Sequence, residues 1–154
     1  MRILGIDPGT KFVGYAVLEL EDGTAHLIDG GTHRIGAKDK ISRIAEVYNL
    51  IKNIIGQFAP DVLVVEELFY AKNIKTLVRL AEIRSVVMLS AKLQDVPVRE
   101  FSPKEIKLAI TGSGNASKER VAFMVSSILG LDRITEYDFS DAVATALCYV
   151  LRRE

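Results

Sequence analysis

The chain has 154 residues, 49% hydrophobic and 26% charged, which suits one α/β domain and is too short for two ordinary ones. Twenty Lys and Arg balance twenty Asp and Glu, so bulk charge names no partner. No apolar run approaches the ~18 residues of a membrane span, the N-terminus lacks the apolar core of a secretion signal, and the single cysteine, Cys148, excludes an internal disulfide or a cysteine zinc cage. These features predict a cytoplasmic chain with residues 1–154 as a single domain and no membrane contact.

Arg2–Asp7 is an apolar run ending in Asp-Pro-Gly-Thr, a strand followed by a turn. Phe12–Leu20 reads as a second strand, Glu21-Asp22-Gly23 as a hairpin turn and Thr24–Ile35 as a third strand. The period then changes: Ile41, Ile44, Ala45, Tyr48, Ile51, Ile55 and Phe58 recur three or four apart, a helix over Asp39–Phe58. Pro60-Asp61 breaks it. Val62-Leu63-Val64-Val65, a continuous apolar run ending in Glu66-Glu67, has the character of a central parallel strand.

Ile74–Leu93 returns to helix, and Val96–Phe101 is a fifth strand. Ser102-Pro103-Lys104-Glu105 is a capping box with proline at the first helical position. A flexible loop covers Thr111–Asn115, Ser117 caps a helix running to about Leu129, and a last helix spans about Asp138 to Leu151. The order βββαβαβααα predicts an α/β fold with a mixed five-stranded sheet flanked by helices.

Zero net charge conceals a local bias. Residues 72–120 hold ten basic and five acidic side chains, whereas residues 1–71 hold seven basic and ten acidic. An acidic framework with a basic middle suits a polyanion approaching a metal-binding centre, although solvated helix faces give the same count.

Four acids are placed where this topology gathers them. Asp7 ends the first strand and Glu66 the fourth, and parallel pairing brings both to the carboxyl edge, where open α/β sheets place their sites. Adjacent strand residues point to opposite faces, so only one of Glu66 and Glu67 joins Asp7. Asp138 and Asp141, three apart at a helix start, share a face. Together they offer hard oxygen ligands for two Mg²⁺, with Mn²⁺ as a substitute, and two such ions roughly 3.5–4 Å apart activate water against a phosphodiester. Taken singly, Asp7-Pro8-Gly9 also reads as a plain turn, Glu66-Glu67 as exposed strand-end charges, and Asp138 with Asp141 as an N-cap and its N3 partner. Spacing alone reaches a metal-dependent hydrolase or phosphotransferase.

Gly5-Ile6-Asp7-Pro8-Gly9-Thr10, Val65-Glu66-Glu67-Leu68-Phe69 with Ala71-Lys72-Asn73, Lys107, Gly112-x-Gly114, Lys118 and Asp138-x-x-Asp141-Ala142 together resemble the RuvC family of bacterial Holliday-junction resolvases, in order and over nearly the whole chain. The resemblance implies a ribonuclease-H-like fold and a homodimer that resolves four-way DNA junctions by paired Mg²⁺-dependent nicks, in recombination and repair, with the RuvA–RuvB branch-migration complex as partner. It matches Asp7, Glu66 (rather than Glu67), Asp138 and Asp141 to the catalytic, metal-binding acids. It matches Lys107 and Lys118 to basic residues beside them, and Phe69, with Lys72, to DNA contacts at the junction. Phe69 alternatively packs beneath the long helix. Tyr70 carries no assignment, and His26 and His33 lie away from the acids.

Two other classes compete. A sugar-kinase-type ATPase shares the strand-Asp-x-Gly-Thr signature but needs two such domains and a second phosphate loop, which this sequence lacks. A non-catalytic junction-binding module could dispense with the acids, yet all four are present.

Paired nicks call for two sites about a two-fold axis, and Ile74–Leu93 is apolar nearly all round. Ile74, Leu77, Val78 and Ala81 are expected to face the sheet, and Leu80, Ile83, Val87 and Ala91 other faces, so this helix is expected to pack against its symmetry mate. The alternative sandwiches it between its own sheet and C-terminal helix.

Overall fold

The three leading segments form an antiparallel meander in the computed structural model, which describes residues 1–69 and 73–153: β1 (Arg2–Pro8), β2 (Phe12–Glu21) and β3 (Thr24–Arg34). Asp22 and Gly23 turn the β2–β3 hairpin with φ of 48° and 83°, the left-handed conformation that a two-residue hairpin needs. Then follow α1 (Lys40–Phe58), β4 (Val62–Glu66), α2 (Ile74–Lys92), β5 (Val98–Phe101), α3 (Pro103–Thr111), α4 (Lys118–Leu129) and α5 (Tyr137–Arg152). The sheet order is β3-β2-β1-β4-β5, with β4 parallel to both β1 and β5. The expected mixed five-stranded sheet is the one observed.

Two apolar layers flank it. Leu4, Ile6, Leu63 and Val65 pack with α1 and α2, whereas Ile3, Val62 and Val64 pack with α3, α4 and α5. Strand alternation therefore puts Asp7 and Glu66 on the α5 side and Glu67 on the other. Ile6 is the register partner of Val65, which leaves Asp7 and Glu66 as the next residues of two adjacent parallel strands.

Local chemistry sets the element ends. Asp39 and Ser117 cap α1 and α4 by accepting from the amides of Ser42 and Arg120, and Ser102 with Glu105 forms the reciprocal capping box of α3. The fifth strand is shorter than expected. The Val96 amide is spent on the Ala91 carbonyl at the end of α2, and Pro97 has no N–H, so pairing begins at Val98.

The α2 orientation overturns the expectation. Ile83, Val87 and Ala91 are the residues buried in the chain's own core, while Ile74 and Val78 are exposed. The helix packs on α1, with further contact to β1 and β5, rather than between the sheet and α5. A charge at Ile83 or Val87 thus enters the core instead of an interface. Val87→Asp is expected to abolish cooperative unfolding, and Ile83→Ala to cost about 2–5 kcal/mol in urea denaturation. A folded, stable Val87→Asp chain would show that this side of α2 is not core.

Candidate active site

Five elements deliver charge to one edge of the sheet. Asp7 sits at the end of β1, Glu66 at the end of β4, Asp138 and Asp141 in the first turns of α5, Lys107 in α3 and Lys118 at the first position of α4. Gly112, with φ of 76°, ends α3 in the left-handed conformation, and the chain returns through Ser113–Ser117 to start α4, so both lysines reach the acids.

The electrostatics tie the group together. Burial first, then the charges of Asp141, Asp138 and Glu66, push the Asp7 carboxyl well above its ordinary range, against the opposing pull of Lys118. Burial and Asp141 raise Glu66 to about 7, although Lys107 and Lys118 oppose the rise. Asp141 is raised by burial and by Asp138, with both lysines acting the other way. The sequence-predicted acids and the two lysines are thus one coupled cluster.

Other readings of these residues are settled by position. Glu136 occupies the N-cap of α5 and makes no side-chain cap bond, so Asp138, two residues further on, is not the cap. Asp7 is the cross-strand partner of Gly14 rather than part of an isolated turn. Phe69 is 71% exposed and does not pack beneath α2. Lys72 and Tyr70 lie outside the described residues. Cys148 is fully buried.

Three features escaped the sequence reading. Arg84 of α2 donates to the Glu66 carbonyl at 3.0 Å and pairs with Glu100 of β5, fixing the end of β4. Glu46 accepts from His33 Nε2 at 2.8 Å and from the amides of Gly36 and Ala37 at 2.9 and 2.8 Å, and these bonds hold its carboxyl down to about 2. The segment it anchors carries Lys38. A cavity of about 580 Å³ beside the β1–β2 loop is lined by Lys11, Lys38, Lys40, Arg43, Lys75 and Arg79, with Glu82 as its one acid. Lys40 pairs with Glu82 at 2.7 Å, and the other five basic groups enter no ion pair among the described residues. Counting charge by contiguous segment hides this cluster, because four of its cations come from the acidic first half; Lys38, Lys40 and Arg43, close together at a helix start, were the available signal.

The chain is similar to known proteins in both sequence and fold. Residues 3–149 match the family model described as Crossover junction endodeoxyribonuclease RuvC. A relative of that name from Moorella thermoacetica is 40% identical over 151 residues, 97% of this chain and 90% of the relative. The Thermus thermophilus RuvC in complex with Holliday junction substrate superposes with a TM-score of 0.89 at 29% identity, covering 97% of this chain and 92% of that one. The yeast mitochondrial Holliday junction resolvase, at 17% identity and a TM-score of 0.73, covers 97% of this chain and 78% of its own and shares the fold.

Sheet order and flanking helices define a ribonuclease-H-like fold. The chain belongs to the RuvC family, the crossover junction endodeoxyribonucleases. Nucleases of this family depend on a metal ion.

The Glu66 shift fixes the sign of a pH effect. Its carboxyl holds a proton up to about 7 in the folded chain and only to about 4.5 when unfolded. The folded state therefore binds more protons in that window, and stability without metal falls as pH rises from about 4.5 through about 7. In EDTA, the Tm of the parent chain is expected to decline across this window. Glu66→Gln should decline less steeply, with the rest supplied by Asp7 and Asp141. An equal slope in both would remove Glu66 as a source.

Proposed function

We propose that this chain resolves Holliday junctions by paired, symmetric nicks, acting as a homodimer with residues 1–154 as one nuclease domain. The observation that carries the reading is the coupled cluster of Asp7, Glu66, Asp138 and Asp141 flanked by Lys107 and Lys118. It is supported by family membership and by the junction held in the Thermus relative.

The donor set suits a hard cation. Burial and neighbouring acid charges raise the proton affinity of Asp7, Glu66 and Asp141 against the pull of two lysines, and a divalent ion relieves that repulsion. Among the described residues, no three His, Cys, Asp or Glu side chains are grouped so as to hold a metal ion by themselves. An ion here takes one or two carboxylates and completes its shell with water and phosphate oxygens, the manner in which Mg²⁺ is ordinarily held. Two Mg²⁺, with Mn²⁺ able to replace them, are the proposed complement; when bound they activate water and stabilise the leaving oxygen.

The chain's own groups do the rest. Asp7 and Glu66 hold fixed positions at strand ends, and Asp138 with Asp141 closes the cluster from α5. Lys107 and Lys118 are assigned to phosphates beside the acids. Exposed Phe69 is assigned to stacking on bases at the crossover, worth about 1–3 kcal/mol per stack, with Lys72 as its neighbour on the DNA. The cations around the cavity by Lys11 and Arg79 extend a phosphate-binding rim. The proposed two-fold contact uses the apolar side chains that α2 exposes, Ile74, Val78 and Leu89, in place of Ile83 and Val87. The cytoplasm as its location, recombination and repair as its setting, and the RuvA–RuvB complex as partner rest on membership of the family alone.

A labelled four-way junction, a linear duplex and an RNA, each with Mg²⁺ or EDTA, test the activity: symmetric nicks in the junction, with metal only, are expected. Cleavage of all three would leave a general nuclease. Asp7→Asn, Glu66→Gln and Asp141→Asn should each lose roughly 100-fold or more of cleavage, since even groups that only orient metal ligands account for 10–100-fold. Each should still bind the junction as tightly as before. Near-normal turnover in any one would remove that residue from the site. Lys107→Ala and Lys118→Ala should each lower the slope of log K against log salt by about one unit. Sedimentation equilibrium should give twice the 17.0 kDa chain mass, and Val78→Asp should give a folded monomer. A parent chain that stays monomeric without DNA would overturn the preformed dimer.

A further inference from the structure

The strand residue opposite Asp7 is a glycine that its backbone conformation does not require. Gly14 lies in β2, is buried, and is the direct cross-strand partner of Asp7. It is not among the glycines with positive φ, which are Gly23, Gly112 and Gly130, so any L-residue could adopt its backbone. What it supplies is space. A Cβ at Gly14 would lie well inside van der Waals contact of the Asp138 carbonyl carbon and oxygen, and 3.1 Å from the Phe139 nitrogen. All three are backbone atoms, so no side-chain rotation relieves the overlap.

Gly5, on β1, repeats the arrangement one helical turn further along. A Cβ there would overlap the Ala142 carbonyl oxygen and lie 2.8 Å from Ala146 Cβ. The two strands thus present bare backbone to the face of α5 that carries Asp138 and Asp141, and the helix approaches until backbone meets backbone. At Gly14 the contact involves the peptide of Asp138 itself, while the same glycine is paired with Asp7. One residue therefore references two of the four acids to each other.

We infer that Gly14 is a positioning residue for metal binding, setting the separation between Asp7 and Asp138 by admitting the first turn of α5 against β2. This rests on the metal-binding role proposed for those acids. Adding one methyl must lift the start of α5 away from the sheet, carrying Asp138 away from Asp7 while Glu66 stays on its own strand.

The test compares Mn²⁺ binding by calorimetry without DNA for the parent, Gly14→Ala, Asp138→Asn and Val47→Ala. Val47 is fully buried on the opposite face of the sheet and controls for general destabilisation. All are made with Gly56→Ala, a position on α1 where a Cβ meets open space, which strengthens the helix. Gly14→Ala is expected to weaken Mn²⁺ binding by about 10- to 100-fold, the range for groups that orient metal ligands. Val47→Ala should leave Mn²⁺ affinity unchanged while lowering Tm. Adding Asp138→Glu to Gly14→Ala should recover much of the affinity, because the longer side chain spans the added gap; in the parent the same change should weaken binding. That reversal of sign is not expected of a merely structural glycine.

Parent-like Mn²⁺ affinity in Gly14→Ala, with Asp138→Asn impaired, overturns the inference and leaves the site reading intact. Parent-like affinity in Asp138→Asn removes that acid from the metal site and the inference with it. A Gly14→Ala chain that does not fold assigns the glycine to the fold instead, and a double variant no better than Gly14→Ala rejects the separation as the quantity it sets.

Discussion

Like charges must be held together against their own repulsion, and the architecture of this chain follows from that constraint. Asp7, Glu66 and Asp141 all bind protons more tightly than free carboxylates, because burial strips their hydration and each adds to the others' field. Two lysines moderate this repulsion without cancelling it. The cluster is a local destabilisation that must be offset elsewhere, which explains why its acids stand on the most deeply packed elements. On β1, Ile3, Leu4 and Ile6 are fully buried, and α5 is buried continuously from Ala142 to Cys148. A loop would relax and let the acids separate; a central strand and a buried helix cannot do so without opening the core.

The topology supplies convergence as well as rigidity. Parallel pairing of β1 and β4 brings two carboxyl ends to one edge, and alternation sends Asp7 and Glu66 to the same face. The α5 helix then crosses that face with its own acids in its first turns. Arg84 ties the Glu66 carbonyl to α2 and, through Glu100, to β5, so the end of β4 is restrained from the side away from the cluster. Neighbouring elements thus brace the acids through backbone contacts, leaving the carboxylates themselves available for ligands.

Much of this was legible in the sequence, for definable reasons. The change from period two to period 3.6, the Ser102 and Ser117 caps and the apolar run at Val62–Val65 depend on neighbours close in the chain, and each predicted its element. The choice of Glu66 over Glu67 followed from the family pattern and from alternation, once β4 was known to be a strand. The packed face of α2 was not legible. A helix with apolar residues on several sides does not say which side meets the core; the partner that decides it, α1, makes contacts remote in sequence. The cations around the cavity came from three separated segments, so no local count could collect them. A glycine inside a strand signals a bulge or a close approach, and only the crossing of α5 over β2 says which.

The balanced net charge acquires a meaning once the groups are placed. At the carboxyl edge of the sheet the charges are sorted by side, apart from Lys107 and Lys118 beside the acids. The acids gather on the α5 side, while Lys11, Lys38, Lys40, Arg43, Lys75 and Arg79 surround the cavity where α1 and α2 begin. A polyanion arriving at this edge meets repulsion at the acids and attraction at the rim. Screening acts mainly on exposed charges more than ~10 Å apart at 0.1 M salt, so the rim operates at longer range and is the more sensitive to ionic strength, whereas the buried acids are little affected. On the proposed function, capture and chemistry are separable in the electrostatics: salt governs the first and occupancy by a divalent cation the second. A charge distribution that sums to zero can in this way both attract a phosphate backbone and hold it away from the acids until a cation neutralises them.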